Sequence, residues 1–405
     1  MRLTRSMLMK KNRTRKYQRG AVSLFSVIFA MLLMTIITTS FLRIMIADQV
    51  ESTNNDLAQS AYDSAQAGVE DAKRALIWYA NKCKTGEAAC NNAEDVVSST
   101  TCNEAIINTN SGSAWSGSGG EIKVQQSTQV DESGNSVDQA LDQAYTCVTL
   151  QLNTDDYVSA VNENESIIVP LQGTSSFDTV TIQWYSQDDL STAGGTAKLG
   201  TSTQLKMAKT WPTDRPSVLR TQLMQVGSSF KLSDFDSVTS DSKSDANTVF
   251  LYPTTDGVNS TSFVARDSRS RTEASSLGFS PLPTKCVSSI PSGGYSCSMT
   301  LALPTAVGES SRSTSTTTYL RLTSLYTSAH VRITLGNNAK FNGVQPIVDS
   351  TGRANDVFRR VQSRVNLYDT SGFPYPDGAI DVSSNLCKNF SVTDSESDYS
   401  SSCTP

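Results

Sequence analysis

The sequence predicts an α+β chain in which a long N-terminal helix, transmembrane in its first half, packs on a mainly antiparallel β head domain. No residue is charged from Ala21 to Leu42, and these 22 residues, at about 1.5 Å each, reach roughly 33 Å. That length is enough to cross the ~30 Å hydrocarbon core of a bilayer. Beyond residue 143, short segments of alternating apolar residues are separated by Ser, Gly, Asp and Pro, which is typical of antiparallel strands.

Residues 1–20 form a basic leader in front of the apolar run. They contain eight basic residues and no acidic one. Such a bias holds the flanking segment in the cytoplasm, so we expect a single pass with the N-terminus inside and the body outside. The basic residues are Arg2, Arg5, Lys10, Lys11, Arg13, Arg15, Lys16 and Arg19.

The predicted helix covers residues 21–80, because no proline or turn signal interrupts it. Its membrane-spanning half is about 21–42, and a cluster of hydroxyl residues there is expected to bond back to carbonyls one turn earlier or to reach a neighbouring helix. Beyond the membrane, small and apolar residues recur at helical spacing and predict close packing on a sheet or another helix. These small and apolar residues are Leu57, Ala61, Ala65, Gly68, Ala72, Leu76 and Tyr79. The hydroxyl cluster in the membrane-spanning half consists of Thr35, Thr38, Thr39 and Ser40.

After the helix, residues 81–142 are rich in Ser, Gly and Asn and predict a loop-like region. Residues 143–405 predict a disulfide-bonded β head in one lobe or in two. The Asp-rich and Ser-rich run from Ser233 to Asn247 is the candidate division between lobes, and the block from Tyr319 to Tyr368 is the candidate final sheet.

All eight cysteines follow the apolar run, which predicts disulfides on the outer side of the membrane. Pairing between sequence neighbours is the simplest arrangement, although eight cysteines allow on the order of 100 connectivities. Metal binding through thiols is not predicted, because no pair has the spacing of about two to four residues found in zinc knuckles and the chain has a single histidine. The neighbour pairs are Cys83 with Cys90, Cys102 with Cys147, Cys286 with Cys297, and Cys387 with Cys403.

Gly20 stands directly between the basic leader and the first apolar residue, Ala21. A basic leader that ends in Gly and is followed by an unbroken apolar helix resembles the class III signal of type IV pilins and pseudopilins. The resemblance implies cleavage by a prepilin peptidase after Gly20, a mature chain that starts at Ala21, and an anchor helix that later packs against other pilin subunits. The terminal pair Cys387 and Cys403 resembles the D-region disulfide of pilins.

Phe25 departs from the family pattern. Most pilins carry Glu at this fifth mature position, where the resemblance implies pairing with a neighbour's N-terminal amine during assembly. Minor pilins of the PilX-like group and K-type pseudopilins often lack that Glu. The departure therefore indicates a minor or atypical subunit.

Catalysis finds little support in the sequence, and neither an enzyme nor a cofactor is predicted. His330 lies in a strand-like run, where a surface or interface histidine is expected rather than a general base. Three acidic pairs are candidate Ca²⁺ ligands, but no EF-hand pattern is present and solvated loops are favoured. These pairs are Asp155 with Asp156, Asp188 with Asp189, and Asp234 with Asp236.

The charge of the body excludes nucleic acid as an expected partner. Without the leader, 26 Lys and Arg stand against 39 Asp and Glu, so residues 21–405 carry about −13. We expect a structural subunit of a type IV pilus or related filament, first held in the inner membrane and then exposed outside for adhesion, motility, DNA uptake or secretion. The alternative is a membrane-anchored surface adhesin or binding protein that does not polymerise.

Overall fold

The computed structural model describes residues 20–109, 120–124, 143–201, 208–225, 248–262, 281–308 and 318–367, and the side chains of its first helix from Leu24. The chain divides into two compact units, Met1–Ser60 and Ala61–Pro405. The fold is α+β, with one long apolar N-terminal helix and a region of mostly antiparallel sheets.

The first helix, α1 (Gly20–Cys83), is continuous over 64 residues and agrees with the helix predicted over 21–80. From Leu24 to Val50 its large apolar side chains are exposed. From Ala61 onward the predicted small-residue stripe is buried, whereas its first predicted residue, Leu57, is half-buried. The buried members are Ala61, Ala65, Gly68, Ala72, Leu76 and Tyr79.

The region predicted as loop-like contains two short helices and a short strand. These are α2 (Glu87–Val97), α3 (Glu104–Thr109) and β1 (Ile122–Lys123). Val97 and Ile106 are fully buried, in one core with Leu76 and Tyr79 of α1. Tertiary burial therefore gives order to a polar sequence whose own propensity is weak. The Gly-rich run at 111–119 lies outside the described residues.

One sheet of four strands, in the order β1-β2-β13-β14, packs on α1. All three pairings are antiparallel. Val148, Leu150 and Val348 extend from this sheet into the core shared with α1, α2 and α3. The strands besides β1 are β2 (Gln143–Thr154), β13 (Phe341–Ala354) and β14 (Val357–Arg364).

Two five-stranded sheets form a sandwich around a second, larger core. Their orders are β3-β12-β5-β10-β8 and β4-β11-β6-β7-β9. Most pairings are antiparallel, but β8 with β10 and β7 with β9 are parallel. The strands are β3 (Asp156–Val161), β4 (Ser166–Pro170), β5 (Phe177–Ser186), β6 (Val218–Gln225), β7 (Thr248–Thr254), β8 (Ser260–Ser262), β9 (Leu282–Lys285), β10 (Tyr295–Val307), β11 (Thr318–Leu325) and β12 (Ala329–Leu335).

The sandwich is inserted between two neighbouring strands of the four-stranded sheet. Chain order runs β2, then β3 to β12, then β13, although β2 and β13 pair directly and bring Thr154 opposite Phe341. The boundary between the sandwich and the four-stranded sheet therefore lies at β2 and β13. The run from Ser233 to Asn247 instead connects β6 and β7, which pair within one sheet, so it does not separate two lobes.

The block from Tyr319 to Tyr368 is not the single final sheet that the sequence predicted. Its four strands belong to three sheets: β11 and β12 lie on opposite sides of the sandwich, and β13 and β14 lie in the sheet against α1. Alternation of side chains identifies each strand but does not specify its partner.

Gln345 joins the sandwich to the helix-backed sheet. Its amide donates to the C=O of Val158 at 2.8 Å and accepts from the N–H of Val158 at 3.0 Å. Val158 lies on the edge strand β3, so the side chain of Gln345 takes the place of a neighbouring strand. Arg364 adds a contact at the same place, donating to the Asp156 carboxylate at 2.7 Å.

Gly352 permits the closest approach of β13 to α1, which gives a test of this packing. A Cβ at this position would meet the backbone of Ala61 and Ala65, with the Ala65 Cα at 2.9 Å. We expect Gly352→Ala to lower the free energy of unfolding by roughly 1–3 kcal/mol, because backbone cannot move aside as a side chain can.

The measurement is urea unfolding of the full chain in detergent, followed by circular dichroism. Gly308→Ala is the matched control, since a Cβ there meets no atom within 4 Å and should change stability by no more than about 0.5 kcal/mol. Equal stability of the two variants would contradict the packing described here.

Candidate membrane anchor and candidate ligand sites

The apolar half of α1 is the candidate membrane anchor. It is the one helix among the described residues that is long and apolar enough to cross a membrane, with a mean hydropathy of 2.2 in its most apolar window. Gly20, the predicted processing residue, is the first residue of the helix, and Ala21 follows in it. Phe25 is 74% exposed and lies on an uncovered surface of this helix.

The hydroxyl cluster within this half bonds to its own helix. Thr38 Oγ1 donates to the C=O of Met34 at 2.9 Å, and Thr39 Oγ1 donates to the C=O of Thr35 at 2.7 Å. Thr35 Oγ1 donates to the C=O of Leu32 at 2.8 Å. Back-bonding is the first of the two roles predicted for these hydroxyls, and it satisfies polar groups that an apolar surrounding would otherwise leave unpaired.

From Ala61 onward α1 is fixed to the sheet by small residues and by buried hydrogen bonds. Ser350 Oγ on β13 donates to the C=O of Ala65 at 2.7 Å. At Gly68 a Cβ would lie 2.8 Å from Val148 Cγ2, so the sheet leaves no room for a side chain there.

Asp71 is a buried acidic residue on the same face of α1, with 6% of its surface exposed. Its carboxylate accepts from Tyr145 Oη at 2.9 Å and forms an ion pair with Arg74 at 2.6 Å. Burial, together with the negative charge of Asp71, raises the pKa of Tyr145 well above its usual value. The sequence did not single out this triad, because Asp71 stands among exposed charged residues of one helix and its partner is 74 residues away.

The six described cysteines form three disulfides between sequence neighbours: Cys83 with Cys90, Cys102 with Cys147, and Cys286 with Cys297. Cys83 is the last residue of α1 and Cys90 lies on α2, so the first bond fixes the turn between these helices. The second ties the segment before α3 to β2. Cys387 and Cys403 lie outside the described residues.

His330 is fixed by a carboxylate. Its Nδ1 lies 2.8 Å from Asp189 Oδ1, and its backbone N–H donates to Asp189 Oδ2 at 3.0 Å. The side chain of Asp189 is 5% exposed and also accepts from the N–H of Ser186 at 2.7 Å. The pair thus joins the end of β5 to the start of β12, and sequence reasoning missed it because the two residues are 141 positions apart.

The acidic residues considered for Ca²⁺ are engaged with basic side chains or lie apart. Asp155 pairs with Lys340 at 2.9 Å, and Asp156 lies 3.1 Å from Arg332 Nε as well as 2.7 Å from Arg364. Asp188 is exposed beside Asp189. Within the described ranges no group of three or more His, Cys, Asp or Glu residues is placed to hold a metal ion. Asp234 and Asp236 lie outside those ranges.

Arg215 forms a buried cationic site that the sequence did not indicate. It is 3% exposed, and its guanidinium lies over the rings of Trp211 and Tyr252 at 4.7 and 5.3 Å. Its hydrogen bonds, to Tyr252 Oη and the C=O of Pro253, are long at 3.5 and 3.4 Å. Desolvation lowers the pKa of Arg215, and the aromatic faces supply the compensating negative potential.

In comparisons with known proteins, no protein-family model, no curated protein and no solved structure matches this chain. The fold and the candidate sites described above therefore carry the functional inference by themselves.

The Tyr145–Asp71 contact predicts a loss of stability in alkali. Because the pKa of Tyr145 is raised in the folded state, the folded protein keeps this proton when the unfolded chain has lost it. The stabilisation is present below the unfolded pKa of about 10 and decreases as the pH rises above it, by up to about 1.4 kcal/mol per pH unit for a single proton.

We expect Tyr145→Phe to remove this contribution to the slope above pH 10. The measurement is urea unfolding of both proteins between about pH 8 and 11, a range that brackets the ordinary tyrosine pKa. Identical slopes for Tyr145→Phe and the unmodified chain would contradict the assigned contact.

Proposed function

We propose that this chain is a structural subunit, minor or atypical, of a type IV pilus or related filament, anchored in the membrane by the first half of α1. The observation that carries the proposal is the two-part character of this one helix. Its residues from Leu24 to Val50 expose a continuous apolar surface, whereas its stripe from Ala61 onward is buried on the sheet. A helix of this kind suits transfer from a lipid surrounding to a bundle of like helices.

The leader supports the same proposal. A basic segment without acidic residues precedes Gly20, and Gly20 begins the helix. A peptidase that acts on the cytoplasmic side after this glycine would release the leader and leave the anchor whole. Disulfides at Cys83–Cys90, Cys102–Cys147 and Cys286–Cys297 agree with an oxidising compartment for the body.

Phe25 favours a minor subunit over a major one. A carboxylate inside a membrane costs up to about 2.5–3.5 kcal/mol at the centre and less near the ends of the span, where position 25 lies, and Phe avoids this cost. Phe also lacks the charge that would pair with a neighbour's terminal amine, so many identical subunits of this chain would have no electrostatic guide to their axial spacing.

The absence of that guide equally favours a second candidate function, a membrane-anchored surface adhesin that does not polymerise. In that case the exposed surface of α1 would serve as an anchor alone. The pilin-like function requires cleavage of the chain after Gly20, whereas the surface adhesin would keep the leader.

The N-terminal residue of the protein from its native cells separates these functions. We expect a mature chain that starts at Ala21, methylated or not, identified by mass spectrometry of the terminal peptide. Gly20→Leu should then retain the leader, because a bulky residue would replace the glycine at the proposed cleavage site. A mature chain that starts at Met1 would exclude the pilin-like function and leave the surface adhesin.

Phe25→Glu tests the proposed role of the fifth mature position. We expect the variant to be processed at Gly20 and to enter filaments in greater amount, because the new carboxylate can pair with a neighbour's amine. The measurement is the ratio of this chain in sheared filaments to that in membranes, with Phe25→Gln as the uncharged control. Equal ratios for the Glu and Gln variants would contradict a register role for this position.

A further inference from the structure

A cleft lies where the four-stranded sheet meets the segment that follows α2. Its volume is about 550 Å³, which falls within the range of roughly 300–1,000 Å³ of small-molecule sites. Residues 98–100 form one wall, and the rest of the described lining belongs to β2, β13 and β14. The cleft is therefore a feature of the helix-backed sheet and not of the sandwich.

Polar side chains in the cleft form rows that run across the strands of the sheet. Thr149 on β2 lies directly opposite Asp349 on β13, and Asp349 lies opposite Gln362 on β14. Side chains directly opposite each other point to the same face, and neighbouring strands are about 4.8 Å apart. Gln151 and Ile347 form the next row. The lining thus offers a hydroxyl, a carboxylate and two amides around one apolar side chain.

Leu150 shows which way these rows face and adds backbone groups to the cleft. Its side chain packs in the core shared with α1, so its neighbours Thr149 and Gln151 face away from the helix. The N–H and C=O of Val148 bond to Asn103 on the side away from β13. Because this direction repeats every second residue, the N–H and C=O of Leu150 point to the same side, where no described residue bonds to them.

Asp349 is the one charged side chain in the described lining, and its charge is compensated. Arg360 Nε donates to Asp349 Oδ1 at 2.7 Å, and Arg360 Nη2 donates to Oδ2. The carboxylate keeps lone pairs that can accept further hydrogen bonds. A charged ligand would lose its hydration here without gaining an unpaired opposite charge, so the cleft favours a neutral ligand.

The hydrogen-bonding groups of the cleft both donate and accept. Each amide of Gln151 and Gln362 has a carbonyl that accepts and an NH₂ that donates, and the hydroxyl of Thr149 does both. A sugar hydroxyl also donates and accepts, and the C–H groups of a sugar ring supply apolar surface for Ile347. A neutral sugar therefore matches the lining in charge, in polarity and in its one apolar contact.

An extended peptide matches the cleft less well. Asn103 already bonds to both outward backbone groups of Val148, so a strand added to β2 could not continue past that residue. Such a peptide would also follow the edge of the sheet, whereas the row from Thr149 to Gln362 runs across three strands.

We propose that the cleft between residues 98–100 and the strands β2, β13 and β14 binds a neutral sugar. Gln151, Asp349 and Gln362 bond to the sugar hydroxyls, and Ile347 packs on the ring. The site goes beyond filament assembly and does not depend on it, because no residue of the anchor lines the cleft. It would serve a filament subunit and a surface adhesin equally.

The test is ligand-observed saturation-transfer NMR of the full chain in a detergent without sugar head groups. The probes are glucose, galactose, N-acetylglucosamine, maltose and lactose, with glucuronate and galacturonate as charged counterparts. We expect saturable binding of at least one neutral sugar, and binding of the uronic acids that is about tenfold weaker, because their carboxylate finds no unpaired cation. Three results would each overturn the proposal: no binding of any neutral sugar, equal binding of the uronic acids, or tighter binding of an extended peptide such as acetyl-Thr-Val-Thr-Val-amide.

Substitution of the exposed glutamines locates the binding. Gln151→Met and Gln362→Met keep the side-chain length but remove the amide, and we expect each to weaken binding about fivefold to tenfold. Gln183→Met is the matched control, because Gln183 lies on β5 of the sandwich and outside the described lining, and it should bind as the unmodified chain does. Unchanged binding by both cleft variants would place the sugar elsewhere and overturn the proposal.

Melting curves of the three variants should agree with that of the unmodified chain, which separates lost binding from lost folding. Processing at Gly20 is measured independently in native cells. The filament function can therefore fail while the sugar site holds, or the reverse.

Discussion

The close contact between α1 and the four-stranded sheet is the constraint on which the rest of the structure depends. Gly352 and Gly68 leave no space for side chains, and Ser350 bonds to the backbone of Ala65. Only small residues allow backbones to approach in this way, so the stripe of Ala and Gly on α1 is a steric requirement. The sandwich is inserted in the chain between β2 and β13 of this sheet, so the contact between α1 and the sheet also links the helix to the sandwich.

Buried charges in the body are compensated locally, each by a different means. Asp71 uses a tyrosine hydroxyl and an arginine, Asp189 uses backbone N–H groups and His330, and Arg215 uses aromatic faces. An uncompensated charge in these positions would cost several kcal/mol. These contacts connect elements distant in sequence, and they hold the chain in one arrangement.

The inserted sandwich relates the fold to the proposed function. Helix and sheet are formed by residues that flank the insertion, and the two cores are separate. The proposed assembly through the helix would therefore involve a module that has a core of its own, apart from the core of the sandwich. Gln345 and Arg364 hold the sandwich against the sheet through the edge strand β3, which has no second strand beside it in the part of the chain that the structure describes.

The sequence by itself determined the local features of this protein. The uncharged run from Ala21, the helical stripe to Tyr79 and the individual strands follow from composition and periodicity. Neighbour pairing of the cysteines was only the simplest of many connectivities that the sequence allowed, and the structure shows it for three pairs. Only the tertiary structure decided which strands pair. β2 and β13 are separated by the whole sandwich, and α2 and α3 are ordered by a core that their own residues do not predict. Alternation reports that a strand has a buried face, but its partner depends on packing between distant segments.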